Sequence, residues 1–409
     1  MYEPLTEATV IDYIREETDL VGRIFKPTDT LISKDLADGN VNLVFRVSAQ
    51  DAPLERSVIV KQALPWARIF GPVYPMTLDR SRIEGALLEI EGRYSPEHTV
   101  KLYYNDPEMC VNVLEDLNRH IIMRFGLMKQ VVYPRFANDM GLFLARTLFY
   151  TSDLYLAHDV KKEMVAKHIN PGLCKVTEDL VFTEPYMEHP NNRWNLELDP
   201  QAEQIRSNDD LRSELFVLKE AFMTHAEALI HGDLHTGSIM ITEDETKVID
   251  PEFAYFGPMG FDIGAVLGNL ALSYCSQEYH AQNPATRASY RQWLLDSIQE
   301  IWTVFEAEFR SLWDKEEDRW PSSMFRDKYL HRVLQDTAGF GGAKIMRRIL
   351  GMAHVPDLEK IPDPKERAIA ESMALNIGQN WIMDRHQVGQ IDDLIRMVAE
   401  SKSSYPYSA

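Results

Sequence analysis

The chain carries His231-Gly232-Asp233-Leu234-His235-Thr236-Gly237-Ser238, followed by Val248-Ile249-Asp250-Pro251-Glu252. Asp233 stands in a polar loop, and a short apolar run then ends in a second pair of carboxylates. One acid placed to orient a hydroxyl and another placed to hold a metal suit phosphoryl transfer, which depends on positioning and charge neutralisation more than on covalent chemistry. Residues 238–242 and 246–249 read as two short strands joined by the acidic turn Glu243-Asp244-Glu245, so one strand pair carries both motifs.

An isolated His-Gly-Asp is most often a loop acid capping its own backbone; the strand and Asp250 downstream shift Asp233 towards accepting a hydrogen bond from a substrate hydroxyl. Asp250 and Glu252 flank Pro251 after the apolar strand. They are expected to bind Mg²⁺, which takes one or two carboxylates together with phosphate oxygens and water; a strand-end cap and a structural ion pair are the alternatives. Lys61 closes the run Ser57-Val58-Ile59-Val60, where alternation along a strand turns its ammonium into a cleft and towards phosphates. A helix carrying Glu84 follows and supplies a partner for it. Asp38-Gly39-Asn40 is a tight-turn sequence whose backbone, at Gly39 and Asn40, is suited to phosphates or to an ordinary hairpin. Glu115-Asp116-Leu117 is a connector whose backbone can also meet an adenine edge. Arg347 and Arg348 suit a transferring phosphate, although adjacent helical residues point about 100° apart and surface ion pairing is the alternative. The proline- and aromatic-rich insert over 64–77 is either a loop closing over an apolar substrate tail or an inert plug.

The 409 residues, 45% of them hydrophobic, exceed what one core usually holds, and two lobes are expected. Residues 9–24 and 79–91 show helical spacing, while 36–47, 56–61, 100–104 and 110–114 read as strands. Residues 1–115 therefore form a small strand-rich lobe. Long helices are expected over 140–150, 211–229, 289–310, 328–349 and 364–383, which makes residues 116–409 a larger, mostly helical lobe; the class is α+β. Lys+Arg 43 against Asp+Glu 63 gives a net charge of -20, which argues against nucleic acid and anionic membrane partners. Cys110, Cys174 and Cys275 have neither disulfide nor metal-ligand spacing. With no signal-like leader and no apolar stretch long enough for a bilayer, a cytoplasmic protein is expected.

These residues resemble the protein-kinase-like superfamily of small-molecule kinases, which includes aminoglycoside phosphotransferases and choline kinases. More closely, HGDLHTGS with DPEFAYFGPMGFD, DGNVNLVF, VIVKQALPWAR and the late GFGGAKIMRRILGMAHV look like the 5-methylthioribose kinase family over essentially the whole chain. Ser238 stands where the broader superfamily carries Asn, and Asp250-Pro251-Glu252 replaces a DFG-like or Asp-x-Asp element. The resemblance implies a bilobal protein-kinase-like fold with ATP in the interlobe cleft, Mg²⁺, a homodimer, and transfer of the γ-phosphoryl group to the anomeric hydroxyl of 5-methylthioribose in methionine salvage. It further implies that Asp233 contacts the sugar hydroxyl, that Asn40 and Lys61 contact phosphates, and that Glu115, Asp116 and Leu117 hold adenine. Asp250, Pro251 and Glu252 would serve metal and ATP, Arg347 and Arg348 would reach the substrate or its phosphate, and Asp262 would brace the loop around Asp233. The rival readings are a kinase of another sugar, choline or an aminoglycoside on the same fold, and a non-catalytic nucleotide-binding scaffold.

Overall fold

The computed structural model of the chain describes residues 2–36, 41–68, 71–316 and 318–406. A helix, α1 (Thr9–Glu16), precedes a five-stranded antiparallel sheet. The sheet takes the order β1-β2-β3-β5-β4, with β1 (Leu31–Asp35), β2 (Leu43–Ala49), β3 (Ser57–Gln62), β4 (Leu102–Asp106) and β5 (Val111–Glu115). Alternation along β3 decides what each face does. Val58 and Val60 join Val10, Tyr13 and Ile14 of α1 in one core, whereas Ile59 turns to the opposite face and packs with Leu88 of α2 (Asp79–Tyr94). Lys61 shares the parity of Ile59 and so also faces α2.

Two expected elements are shorter or displaced. The helix read over 9–24 stops at Glu16, where the Thr18 hydroxyl donates to the carbonyl of Ile14 at 2.7 Å and the chain turns through Gly22 at φ +99°. The strand read over 36–47 begins at Leu43. Its partner β1 lies earlier, and its burial alternates over only one fully buried residue, Leu31, so an edge strand of this composition carries little apolar pattern.

Beyond the sheet the chain is mostly helical: β6 (Ile121–Ile122), α3 (Met123–Met128), α4 (Phe136–Tyr150), α5 (His158–Lys167), α6 (Pro171–Phe182), α7 (Asp199–Ser207) and α8 (Asp209–Thr224) follow in turn. Strands β7 (Ala228–Ile230), β8 (Ile239–Ile241), β9 (Thr246–Val248) and β10 (Tyr255–Gly257) then form two small sheets, β6-β8-β9 and β10-β7. The expected strand pair therefore gains β6 as a third member. The helix read over 211–229 ends at Thr224, because Ala228–Ile230 pairs with Tyr255–Gly257 and tertiary pairing overrides local propensity.

The last part holds α9 (Met259–His280), α10 (Pro284–Lys315), α11 (Ser323–Leu350), α12 (Pro356–Glu359), α13 (Pro364–Met383) and α14 (Ile391–Ala399). Helix α13 has the expected bounds, set by Pro364 at its first turn and by Asp363, whose side chain accepts from the amides of Lys365 and Glu366. Helix α9 carries no amphipathic signature because it is buried from Met259 through Gln277. It lies very close to α11: a Cβ on Gly264 would sit 2.6 Å from the Gly341 amide and 2.6 Å from the Thr337 carbonyl. That close approach fixes α11 against the helix whose first turn carries Asp262. The three cysteines are unpaired, and among the described residues no helix is long and apolar enough to cross a membrane.

Candidate active site

The loop after β7 is held by its own backbone. The Asp262 carboxylate, at the start of α9, accepts from the amides of His231 at 2.6 Å and Gly232 at 3.0 Å. His231 Nε2 donates to the carbonyl of Ile249 at 3.0 Å, which leaves Nδ1 to accept the Asp233 amide at 3.3 Å. The Ile249 amide in turn donates to the Ser238 carbonyl at 3.0 Å. The segment bearing Asp233 and the segment bearing Asp250 are thus joined at two points. Gly232 has φ +82°, and a Cβ there would lie 2.3 Å from the Phe253 carbonyl oxygen. Gly232→Ala is expected to cost more than about 2 kcal/mol, since a left-handed residue and a backbone clash combine; a urea midpoint equal to that of the parent would refute it.

Lys61 lies at the centre of one cluster. Its Nζ is 2.8 Å from Glu84 Oε1 and 2.5 Å from Glu252 Oε1, and it also bonds Asp250 Oδ1. Burial alone would lower its pKa, but the three carboxylates hold it well above the usual lysine value. Asn112 Nδ2 donates to the other oxygen of Glu84 at 3.1 Å. Arg80, wholly buried, places Nε 3.2 Å from Glu252 Oε2 and donates to Asn42 Oδ1 at 2.8 Å, while Asn42 donates to Glu252 Oε1. Despite burial, Lys61 and Arg80 pull the Glu252 carboxyl down to about 2. For Asp250, desolvation of the carboxyl among its neighbours and then repulsion by Glu252 and Glu84 outweigh Lys61 and push it up, an effect tempered by solvent on its open side. Its side chain is 49% exposed, the most open of the three, and its backbone sits at φ +71°, a conformation uncommon for a non-glycine residue. Oxygens of Glu84, Asp250 and Glu252 lie within 4.8 Å of one another. Such crowding of carboxylates, with one of them open, fits a divalent cation.

The second cluster surrounds Asp233. Lys344 Nζ is 3.0 Å from its Oδ1, with Arg347 at 3.5 Å and Arg348 at 3.9 Å from the same oxygen. Oδ2 faces His235 Nε2 at 3.5 Å. Burial opposes ionisation, yet Lys344, His235, Arg348 and Arg347 together hold the carboxyl well below the usual aspartate range. Its stabilising contribution is therefore complete above the ordinary value of 3.8 and is lost only as pH falls through the lower folded value. Ser238 does not point its hydroxyl at the Lys61 cluster. It donates to the Asp233 carbonyl at 3.2 Å and meets His235 Nδ1 at 3.1 Å.

The remaining candidates differ in placement. Asp116 is fully engaged by Arg46, at 2.7 and 3.0 Å, so its side chain is committed to the sheet. Leu117 is buried with Leu88, Val100 and Leu114, while the Glu115 side chain accepts from the Lys101 amide at 3.3 Å. Gly39 and Asn40 lie outside the described residues. Of the insert over 64–77, residues 69 and 70 lie outside the described residues; in the rest Trp66 pairs with Pro75 and the Ala67 amide donates to the Tyr74 carbonyl at 3.0 Å. Sequence reasoning missed Lys344, Arg80, Asn42 and Asn112. Only Lys344 had a signal there, since positions 344, 347 and 348 share a helical face.

The model of the phosphotransferase enzyme family matches residues 113–301. A methylthioribose kinase from Yersinia enterocolitica is 39% identical over 402 residues, covering 98% of this chain and 99% of that protein. One from Geobacillus kaustophilus is 39% identical over 406 residues, covering 98% of each, and one from Pectobacterium carotovorum is 38% identical over 404 residues, covering 98% and 99%. Among solved structures, a choline kinase from Cryptosporidium parvum aligns with a TM-score of 0.46 at 12% identity, covering 96% of this chain and 99% of that one.

Proposed function

The chain belongs to the methylthioribose kinase family, and from that premise we propose that it transfers the γ-phosphoryl group of ATP to the anomeric hydroxyl of 5-methylthioribose, within methionine salvage. The observation that carries the reading is the pairing of two clusters through His231 and Ile249: carboxylates around Lys61 on one side, and Asp233 beneath three cations on the other. Mg²⁺, held by Asp250 and Glu252, would neutralise triphosphate charge when bound. Lys61, kept in place by Glu84, offers its ammonium to the phosphates, and Asn40 is assigned a phosphate contact as well. The backbone of Glu115, Asp116 and Leu117 receives adenine, and Pro251 lies with Asp250 and Glu252 in the segment that serves metal and ATP. In this reading residues 1–115 are the ATP-binding lobe and residues 116–409 the substrate-binding lobe of a cytoplasmic homodimer.

Asp233 turns Oδ1 to the cations, which leaves Oδ2 to accept the sugar hydroxyl. A loose transition state needs orientation more than early proton abstraction, and the hydroxyl proton passes to Asp233 Oδ2 only as the new O–P bond forms and the bond to the β-phosphate oxygen breaks, releasing ADP. Arg347 and Arg348 are suited to the moving phosphoryl oxygens because a planar guanidinium matches them in pairs. The same cations disfavour a positively charged acceptor such as choline or an aminoglycoside. In an ADP-release assay comparing 5-methylthioribose, ribose and choline, turnover is expected with the first alone; equal or faster turnover of choline would overturn the assignment.

A further inference from the structure

Helix α11 directs Lys344, Arg347 and Arg348 at one carboxylate oxygen, yet the three are not held alike. Lys344 is 3% exposed, and its ammonium is 3.0 Å from Asp233 Oδ1, 3.5 Å from the Gly232 carbonyl oxygen and 4.4 Å from the centre of the Phe261 ring. Protein groups therefore surround all of its donor capacity. Arg347 and Arg348 stand farther from Asp233, and Arg347 Nε is buried without a hydrogen-bond partner among the described residues. With Arg124 nearby, four cations face two carboxylates, Asp233 and the buried Asp357 that pairs with Arg124 at 3.1 Å and also acts on Arg348, so positive charge is in excess around the guanidiniums. Uncompensated buried charge is costly, and an anion arriving at the guanidiniums would relieve it.

Resting on the functional reading above, we propose that Lys344 is a positioning residue: the standing counter-ion of Asp233, which keeps the carboxylate ionised and aimed and so releases Arg347 and Arg348 for the phosphoryl group in transit. Without it, Asp233 would be satisfied by the arginines themselves, and the same guanidiniums could not serve carboxylate and phosphate together. The inference has a pH signature. Burial lowers the Lys344 ammonium to about 8, with Asp233 opposing and Arg347 and Arg348 reinforcing the shift. The other titratable groups here are His235 and His231, both pushed down by burial and so uncharged in this range, Asp262 on the brace, and Arg124 and Asp357 beside the arginines. The charged form is the working one, so activity is retained below that value and falls as pH rises through it.

The test measures kcat/KM for 5-methylthioribose against pH for the parent, Lys344→Arg and Lys344→Met, with ADP binding and thermal melting as folding controls. An alkaline limb is expected in the parent. Lys344→Met should lose about 100-fold in kcat, the scale of removing one preorganised charged donor, with KM for ATP within about threefold. Lys344→Arg, which keeps the charge but does not titrate, should recover part of the loss and move the limb upward. A Lys344→Met variant within about threefold of the parent in kcat, or an active Lys344→Arg variant with an unmoved limb, overturns the inference. If Lys344→Met fails to fold, the limb in the parent and Lys344→Arg decides, and its absence from the parent between about pH 7 and 10 overturns the inference as well. A parent that releases no ADP with 5-methylthioribose overturns the functional reading too, whereas parent turnover with an unaltered Lys344→Met overturns this inference alone.

Discussion

Replacing Asp233 by Asn is expected to lower kcat roughly 10³-fold, within the range for losing a positioned acid–base group, while ADP still binds with near-parental affinity. Asn keeps the size of the side chain but removes the charge, and its amide can point a donor where the carboxylate only accepted. The sugar hydroxyl would lose the acceptor that aims its oxygen. Nucleotide binding is spared because the groups expected to hold ATP belong to the Lys61 cluster and the connector, not to α11. The substitution also leaves Lys344, Arg347 and Arg348 without their shared carboxylate. The variant should therefore melt lower at low ionic strength and regain much of the loss in sulfate or inorganic phosphate, more than the parent gains. Turnover within about tenfold of the parent, or no preferential rescue by anions, would remove Asp233 from its assigned place.

Much of this site was legible because its acids are close in sequence and bounded by a recognisable apolar strand. Asp233, Asp250 and Glu252 fall within twenty residues, and local turn and strand chemistry presents them together. Lys61 was legible for another reason: strand parity alone turns it towards α2 and Glu84. Arg80, Asn42 and Asn112 were not, since each matters through contacts made across the fold, and a single polar residue on a helix or strand looks like solvent-facing surface until its partners are known. The reservation that adjacent arginines diverge around a helix was sound geometry, but their side chains are long enough for both to converge on Asp233. Helix α9 escaped because burial on all sides erases the period by which helices are read. Its glycines gave the hint, as Gly260, Gly264 and Gly268 recur at one-turn spacing and face α11.

Asp250→Asn should separate activity from stability. Three carboxylates share one ammonium, and Asp250 is the member whose charge folding disfavours: desolvation of its carboxyl and repulsion by Glu252 and Glu84 raise its pKa against the pull of Lys61, by an amount that solvent on its 49%-exposed side reduces. A carboxyl raised on folding takes up protons as the chain folds, so its charge subtracts stability at pH values above its unfolded pKa. Neutral Asn removes that penalty and leaves Lys61 to Glu84 and Glu252. The nucleotide-free variant is accordingly expected to melt at or above the parental temperature at neutral pH. Its activity should move the other way. With one fewer anionic oxygen for a cation that prefers carboxylates and phosphates, turnover is expected to fall by roughly 10²- to 10³-fold, and the Mg²⁺ concentration for half-maximal activity to rise at least about tenfold. Melting curves with and without Mg²⁺ and ADP make the comparison direct: the parent should gain substantially from the pair and the variant little. A variant that is both less stable without ligand and undiminished in its response to Mg²⁺ would mean that Asp250 is a structural partner of Lys61 and not the open metal ligand that its exposure and its crowded neighbours indicate.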